Sequence, residues 1–142
     1  MTVKGVIFTV AGGLISALTT LVGGWDAGLI TLCIVMAVDY ITGIIVAGVF
    51  HKSKKTDSGG LNSHIGWQGI CRKGVTFLIV IIACRLDGLI GATYIRDTVV
   101  IAFILNEILS VLENAGLMGI PIPEALMKGI DILKSKIGEH LE

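Results

Sequence analysis

From Gly5 to Gly24 the chain runs for twenty residues without a charged side chain, and three further apolar stretches of similar length follow. A helix rises about 1.5 Å per residue, so roughly twenty residues match the ~30 Å hydrocarbon thickness of a bilayer. The second stretch, 27–50, is apolar around the single Asp39. The third, 74–95, contains Arg85 and Asp87, and the fourth, 98–120, contains Glu107 and Glu113. Of the 142 residues 54% are hydrophobic and 15% are charged, against about 25% charged in a soluble domain. The expected fold is an all-α integral membrane protein. Residues 1–120 form one transmembrane bundle, and 121–142 form a cytoplasmic amphipathic tail.

The cations orient the bundle. Lys52, Lys54, Lys55, Arg72 and Lys73, five of the eleven Lys and Arg residues, fall between the second and third stretches. The positive-inside rule makes this segment, 51–73, a cytoplasmic loop. Four spans then form two hairpins with both termini cytoplasmic. Nine cations lie inside, Arg96 alone lies outside, and Arg85 lies within a span. The first stretch is diluted by Thr9, Ser16, Thr19 and Thr20, so three spans plus an interfacial first segment is the alternative. A cleaved signal peptide fits less well, because no A-x-A-like site closes the run. Pro121 and Pro123 end the last span and act as the tail's hinge. Beyond them Leu126, Ile130, Leu133, Ile137 and Leu141 share one helical face, with Lys128, Lys134 and Lys136 beside them. That tail suits a protein surface, anionic lipid or a neighbouring subunit.

An ionisable group at mid-bilayer costs about 2.5–3.5 kcal/mol on insertion scales and usually faces a bundle interior or water. Asp39 has Thr42 close by and Gly43 and Ala47 on adjoining turns, small residues that let helices approach closely. Arg85 and Asp87 are two apart and cannot pair on one helix. Arg85 is therefore the expected counter-ion of Asp39, Glu107 or Glu113, unless the helix ends early and both charges reach the outer surface. Asn106, Glu107, Ser110, Glu113 and Asn114 make a broad polar stripe down the last span. It either fixes the bundle internally or meets another subunit or a water-filled lumen.

No catalytic motif is present: neither G-x-S-x-G, a Walker loop nor H-E-x-x-H occurs. Three cysteines without a C-x-x-C pair argue against a disulfide framework. His51, His64 and Cys71 match no familiar zinc spacing. A zero net charge gives no general attraction to nucleic acid. Neither an enzyme, a cofactor nor a metal is expected.

The order of several short motifs resembles the phage-lysis and toxin-secretion holin family. They are "GGWD" (Gly23 to Asp26), "DYITG" (Asp39 to Gly43), "KSKK" and "GICRK" in the basic segment, Asp87, then "NEILSVLEN" and "GIPIP". Arg85 departs from the family pattern, which is usually apolar there, and the basic segment is slightly long. The resemblance implies a small protein of the bacterial (host) cytoplasmic membrane that forms homo-oligomers. It would open timed holes that release an endolysin, or a toxin in clostridial relatives. A small ion or solute channel, an exporter subunit and an antiholin are the alternatives.

Overall fold

The computed structural model describes residues 1–141; Glu142, the last residue of the expected tail, lies outside them. Five helices follow one another: α1 (Val3–Leu21), α2 (Ala27–Gly48), α3 (Ser63–Ile90), α4 (Ile95–Leu117) and α5 (Glu124–Leu141). The described residues contain no strand. α1 and α2 are each long and apolar enough to cross a membrane.

Local chemistry sets the helix ends. Thr2 caps α1, its hydroxyl accepting from the Gly5 N–H at 3.2 Å. Asp26 caps α2 through the Leu29 N–H at 2.9 Å. Asn62 caps α3 through the N–H groups of His64 and Ile65, at 3.0 and 3.3 Å. Each side-chain oxygen satisfies a donor that the first turn leaves without an intrahelical partner. α1 ends where Gly23 and Gly24 adopt φ of +83° and +90°, a region costly for residues with a Cβ. α3 ends on Gly91 at φ +69°.

Only the start of α2 coincides with the expected span limits, and the start of α3 differs most. α3 begins at Ser63 and is 28 residues long, so Arg72 and Lys73 are helix residues and the loop shrinks to 51–62. The Asn62 cap drives this: it starts the helix three turns before the apolar run, whereas the cations made 63–73 read as loop. α4 starts at Ile95 and stops at Leu117. Pro121 and Pro123 occupy the link to α5, as their inability to continue a helix requires.

The core lies between α2 and α4, the most extensively packed pair; α3 and α5 each rest on α4, and α3 meets α2 only sparingly. Val22, Leu29, Leu32, Met36, Val80, Val100 and Ile104 form the buried cluster. α5 buries Ile130. α1 buries no residue. Its polar side chains are nevertheless compatible with an apolar setting, because Thr9, Thr19 and Thr20 donate to carbonyls one turn back at 2.9, 2.8 and 3.1 Å. Such bonds remove the penalty of an unpaired hydroxyl in lipid.

A Cβ at Gly23 would stand 3.0 Å from Cys84 Sγ and 3.1 Å from Arg96 Nε, whereas one at Gly24 would meet nothing within 4 Å. Gly23→Ala should therefore destabilise the protein by more than the ~1–2 kcal/mol left-handed penalty, and Gly24→Ala by about that penalty alone. Unfolding of both variants in detergent micelles checks the order.

Candidate functional site: a buried charge cluster beneath an open cavity

Lys73, three turns into α3, points its ammonium between two carboxylates on other helices. It donates to Asp39 Oδ2 on α2 at 2.8 Å and to Glu107 Oε2 on α4. The side chains of Lys73, Asp39 and Glu107 are only 18%, 8% and 11% exposed. Asn114, two turns beyond Glu107, completes the cluster. Its amide donates to Thr42 Oγ1 at 2.9 Å and to Asp39 Oδ1 at 3.3 Å, and Gly43 faces that amide. Ala47 is buried one turn further along α2. One cation thus links three helices, and the absence of bulk at Gly43 and Ala47 lets α4 approach closely enough for Asn114 to reach α2.

The expected polar stripe divides in two. Glu107 and Asn114 point into the bundle, with Ser110 half-buried between them, while Asn106 and Glu113 are exposed. Glu113 pairs with Lys54 of the loop at 3.2 Å, both side chains being more than half exposed; such a pair contributes little.

Arg85 does not serve as the counter-ion. It is exposed near the end of α3, and Lys73 takes the position foreseen for it. The sequence signal for Lys73 was hidden because the residue sits in a run of cations that looks like a loop. Helical spacing from Lys73 through Phe77 and Val80 to Cys84 places it on the face that packs on α4.

Asp87, by contrast, has a structural task. Its carboxylate accepts from the N–H groups of Ile95 and Arg96 at 3.0 and 2.9 Å, capping α4 from α3, since Tyr94 provides no side-chain cap. Sequence reasoning placed Arg96 only as the one outside cation and missed its role. Its buried guanidinium donates to the carbonyls of Val22 at 2.6 Å and Gly24 at 3.1 Å. It also donates to the carboxylates of Asp26 at 2.6 Å and Asp97 at 3.1 Å. The end of α1, the start of α2 and the start of α4 are held by this one side chain. Burial opposes ionisation of Asp26, but the Arg96 guanidinium and the Leu29 N–H outweigh it and hold the carboxyl below its ordinary value. With a lowered folded pKa, this stabilisation is present above the normal carboxylate range and is lost only as the pH falls through the folded pKa.

Over the Lys73 cluster lies a cavity of about 770 Å³. Asp39, Lys73, Glu107 and Asn114 line it together with Lys54, Lys55, Arg72 and Glu113. Lys52, the remaining cation of the segment, is exposed. No group of His, Cys, Asp and Glu capable of holding a metal occurs among the described residues.

Long apolar helices joined by charges buried between them, with one open polar cavity, are the build of a small membrane protein. Residues 16–135 match the model of the bacteriophage holin family, and the chain belongs to that family. A probable holin of Bacillus phage phi105 is 30% identical over 74% of this chain and 73% of its own length. An uncharacterised protein of Clostridium perfringens strain 13 is 33% identical over 94% and 96% of the two chains. A 14.9 kDa protein of the same species, also uncharacterised, is 37% identical over 83% and 85%. No solved structure matches.

Removing Lys73 leaves two buried carboxylates without their cation, a change that typically costs about 3–5 kcal/mol. Lys73→Met should accordingly destabilise the bundle by that order, while Arg85→Leu changes stability by less than about 0.5 kcal/mol. Unfolding in mixed micelles by circular dichroism distinguishes the two, and equal effects would remove Lys73 from its central role.

Proposed function

We propose that this chain is a holin acting in the bacterial cytoplasmic membrane. It spans four times through α1 to α4, with both termini, α5 and the loop 51–62 on the cytoplasmic side. Copies accumulate and associate, then open holes at a set time so that an endolysin can reach the wall. The observation that carries this reading is the Lys73–Asp39–Glu107 cluster, in a chain of holin descent. Three charges and an amide buried together in a small apolar bundle are costly groups of the kind that mark water-filled or functional paths in membrane proteins. They are groups that can face water once subunits rearrange around a lumen, while the apolar outer faces remain in lipid. Asn106 and Glu113, polar and already exposed, are the first groups a neighbouring subunit would meet. The role is structural and pore-forming, with no chemical step and no cofactor.

Topology is tested by single cysteines in a background without Cys33, Cys71 and Cys84. Ser58→Cys should react with an impermeant thiol reagent only in inverted vesicles, and Ala92→Cys only in intact spheroplasts. The reverse pattern, or labelling of both from one side, overturns the four-span arrangement.

Function is tested by inducing the chain alone in a bacterium while following membrane potential and escape of a co-expressed cytoplasmic enzyme. Abrupt loss of both after a lag is expected, and Glu107→Gln should shift the lag at equal expression. Depolarisation without enzyme escape would identify a narrow channel, and no effect an antiholin or partner-dependent subunit.

A further inference from the structure

The charges around the 770 Å³ cavity do not cancel pairwise. Glu113 is paired with Lys54, and Asp39 and Glu107 share Lys73. Lys55 and Arg72, which also line the cavity, have no side-chain hydrogen bond or ion pair among the described residues. Two carboxylates sharing one ammonium leave one negative charge over, and Lys55, which also acts electrostatically on Asp39, and Arg72 add two positive charges, so the lining carries a net charge of +1. Arg72 precedes Lys73 on α3 and Lys55 follows Lys54 in the loop, so the two cations come from different elements, and both are exposed.

A second, apolar groove of about 460 Å³ opens beside it, between α2 and α3. The two share Tyr40, Ile44, Leu61, Asn62 and Gly66, and the groove continues along Trp67 and Ile70. Its origin is steric. Tyr40 lies against Gly66 and Gly69, where a Cβ would stand 3.4 Å from its hydroxyl and 3.8 Å from its ring. α2 and α3 otherwise touch sparingly. A slot lined by an aromatic pair and aliphatic side chains therefore runs directly out of a cavity whose net charge is positive.

We infer that the cavity and groove together form a binding site for one anionic phospholipid. Its phosphate lies near Lys55 and Arg72, and an acyl chain lies along Ile44, Trp67 and Ile70. Charge complementarity selects a phosphate, which a planar guanidinium recognises well, and the adjoining apolar slot selects a lipid over a free phosphate ion. This site rests on the membrane orientation proposed above, in which the cationic mouth lies at the cytoplasmic leaflet, the side where anionic headgroups attract basic segments. A bound lipid would fill the gap between α2 and α3, a sparingly packed pair, and so tie α3 to α2 beyond the reach of Lys73.

Trp67 is a built-in reporter. The full chain carrying Trp25→Phe, so that Trp67 alone fluoresces, is reconstituted in dioleoylphosphatidylcholine containing a few per cent of brominated lipid. Brominated phosphatidylglycerol should quench Trp67 more strongly than brominated phosphatidylcholine at the same mole fraction. Lys55→Gln and Arg72→Gln should each weaken the preference by about fivefold, the effect of one cation near an anionic surface. Both residues are exposed, and helix content of the variants is verified by circular dichroism. Equal quenching by the two lipids, or a preference indifferent to both substitutions, overturns the proposal. Displacement by millimolar glycerol phosphate would show a free phosphate site and overturn the lipid assignment. Quenching does not depend on hole formation. Enzyme escape without lipid preference would sink this site alone, and lipid preference without escape would sink only the holin reading.

Discussion

The bundle depends on one ammonium group. In an apolar solvent the hydrophobic effect does not draw helices together, because lipid tails cover a leucine as well as another leucine does. What lipid cannot do is solvate a carboxylate. Asp39 and Glu107, placed on α2 and α4, must find a cation, and Lys73 of α3 is the cation within reach. The same group that makes each helix unsuited to lipid by itself makes the three helices suited to each other. The α2 and α3 helices, which have little other contact, are joined chiefly through it.

The two ends of the bundle are built differently. At the end bearing the turns 22–26 and 91–94, Arg96 gathers two carbonyls and two carboxylates, and Asp87 caps α4. Backbone, side chains and charge all close on one another there, and Gly23 gives up its side chain to make room. At the opposite end the helices part around a charged cavity. A bundle closed at one end and wet at the other has a natural place to rearrange. Under the proposed holin action the charged groups near the cavity would reach water first, while the Arg96 clamp would keep the hairpin turns together. The proposed holin action and the proposed lipid site both draw on this asymmetry.

The outlying helices carry a different lesson. α1 has the length and hydropathy of a span yet contributes no buried residue. The hydroxyls of Thr9, Thr19 and Thr20 bond within the helix itself, and Arg96 holds the carbonyls just beyond its end. α5 attaches through Ile130 alone among its fully buried side chains. The packed core of the molecule lies among α2, α3 and α4.

Much of this was written in the linear sequence. Apolar runs of membrane length, the glycines and prolines that end them, and the small residues beside Asp39 all act through local geometry, so helix number and the packed face of α2 follow without tertiary information. That Asp39 would lie on a packed face was legible for the same reason, whereas the 106–114 stripe did not show which of its members are buried: Glu107 and Asn114 are, Asn106 and Glu113 are not. The partners were not legible. Lys73 stands among loop-like cations, Arg85 stands where a counter-ion was wanted, and Arg96 reads as an outer turn residue. Which cation meets which carboxylate depends on how three helices are rotated and offset against one another. Spacing along a single helix contains no record of that. The sequence by itself determined that charges would be buried between helices; only the tertiary structure decided that Lys73 and Arg96 would hold them, because ion pairing is settled by distances across helices.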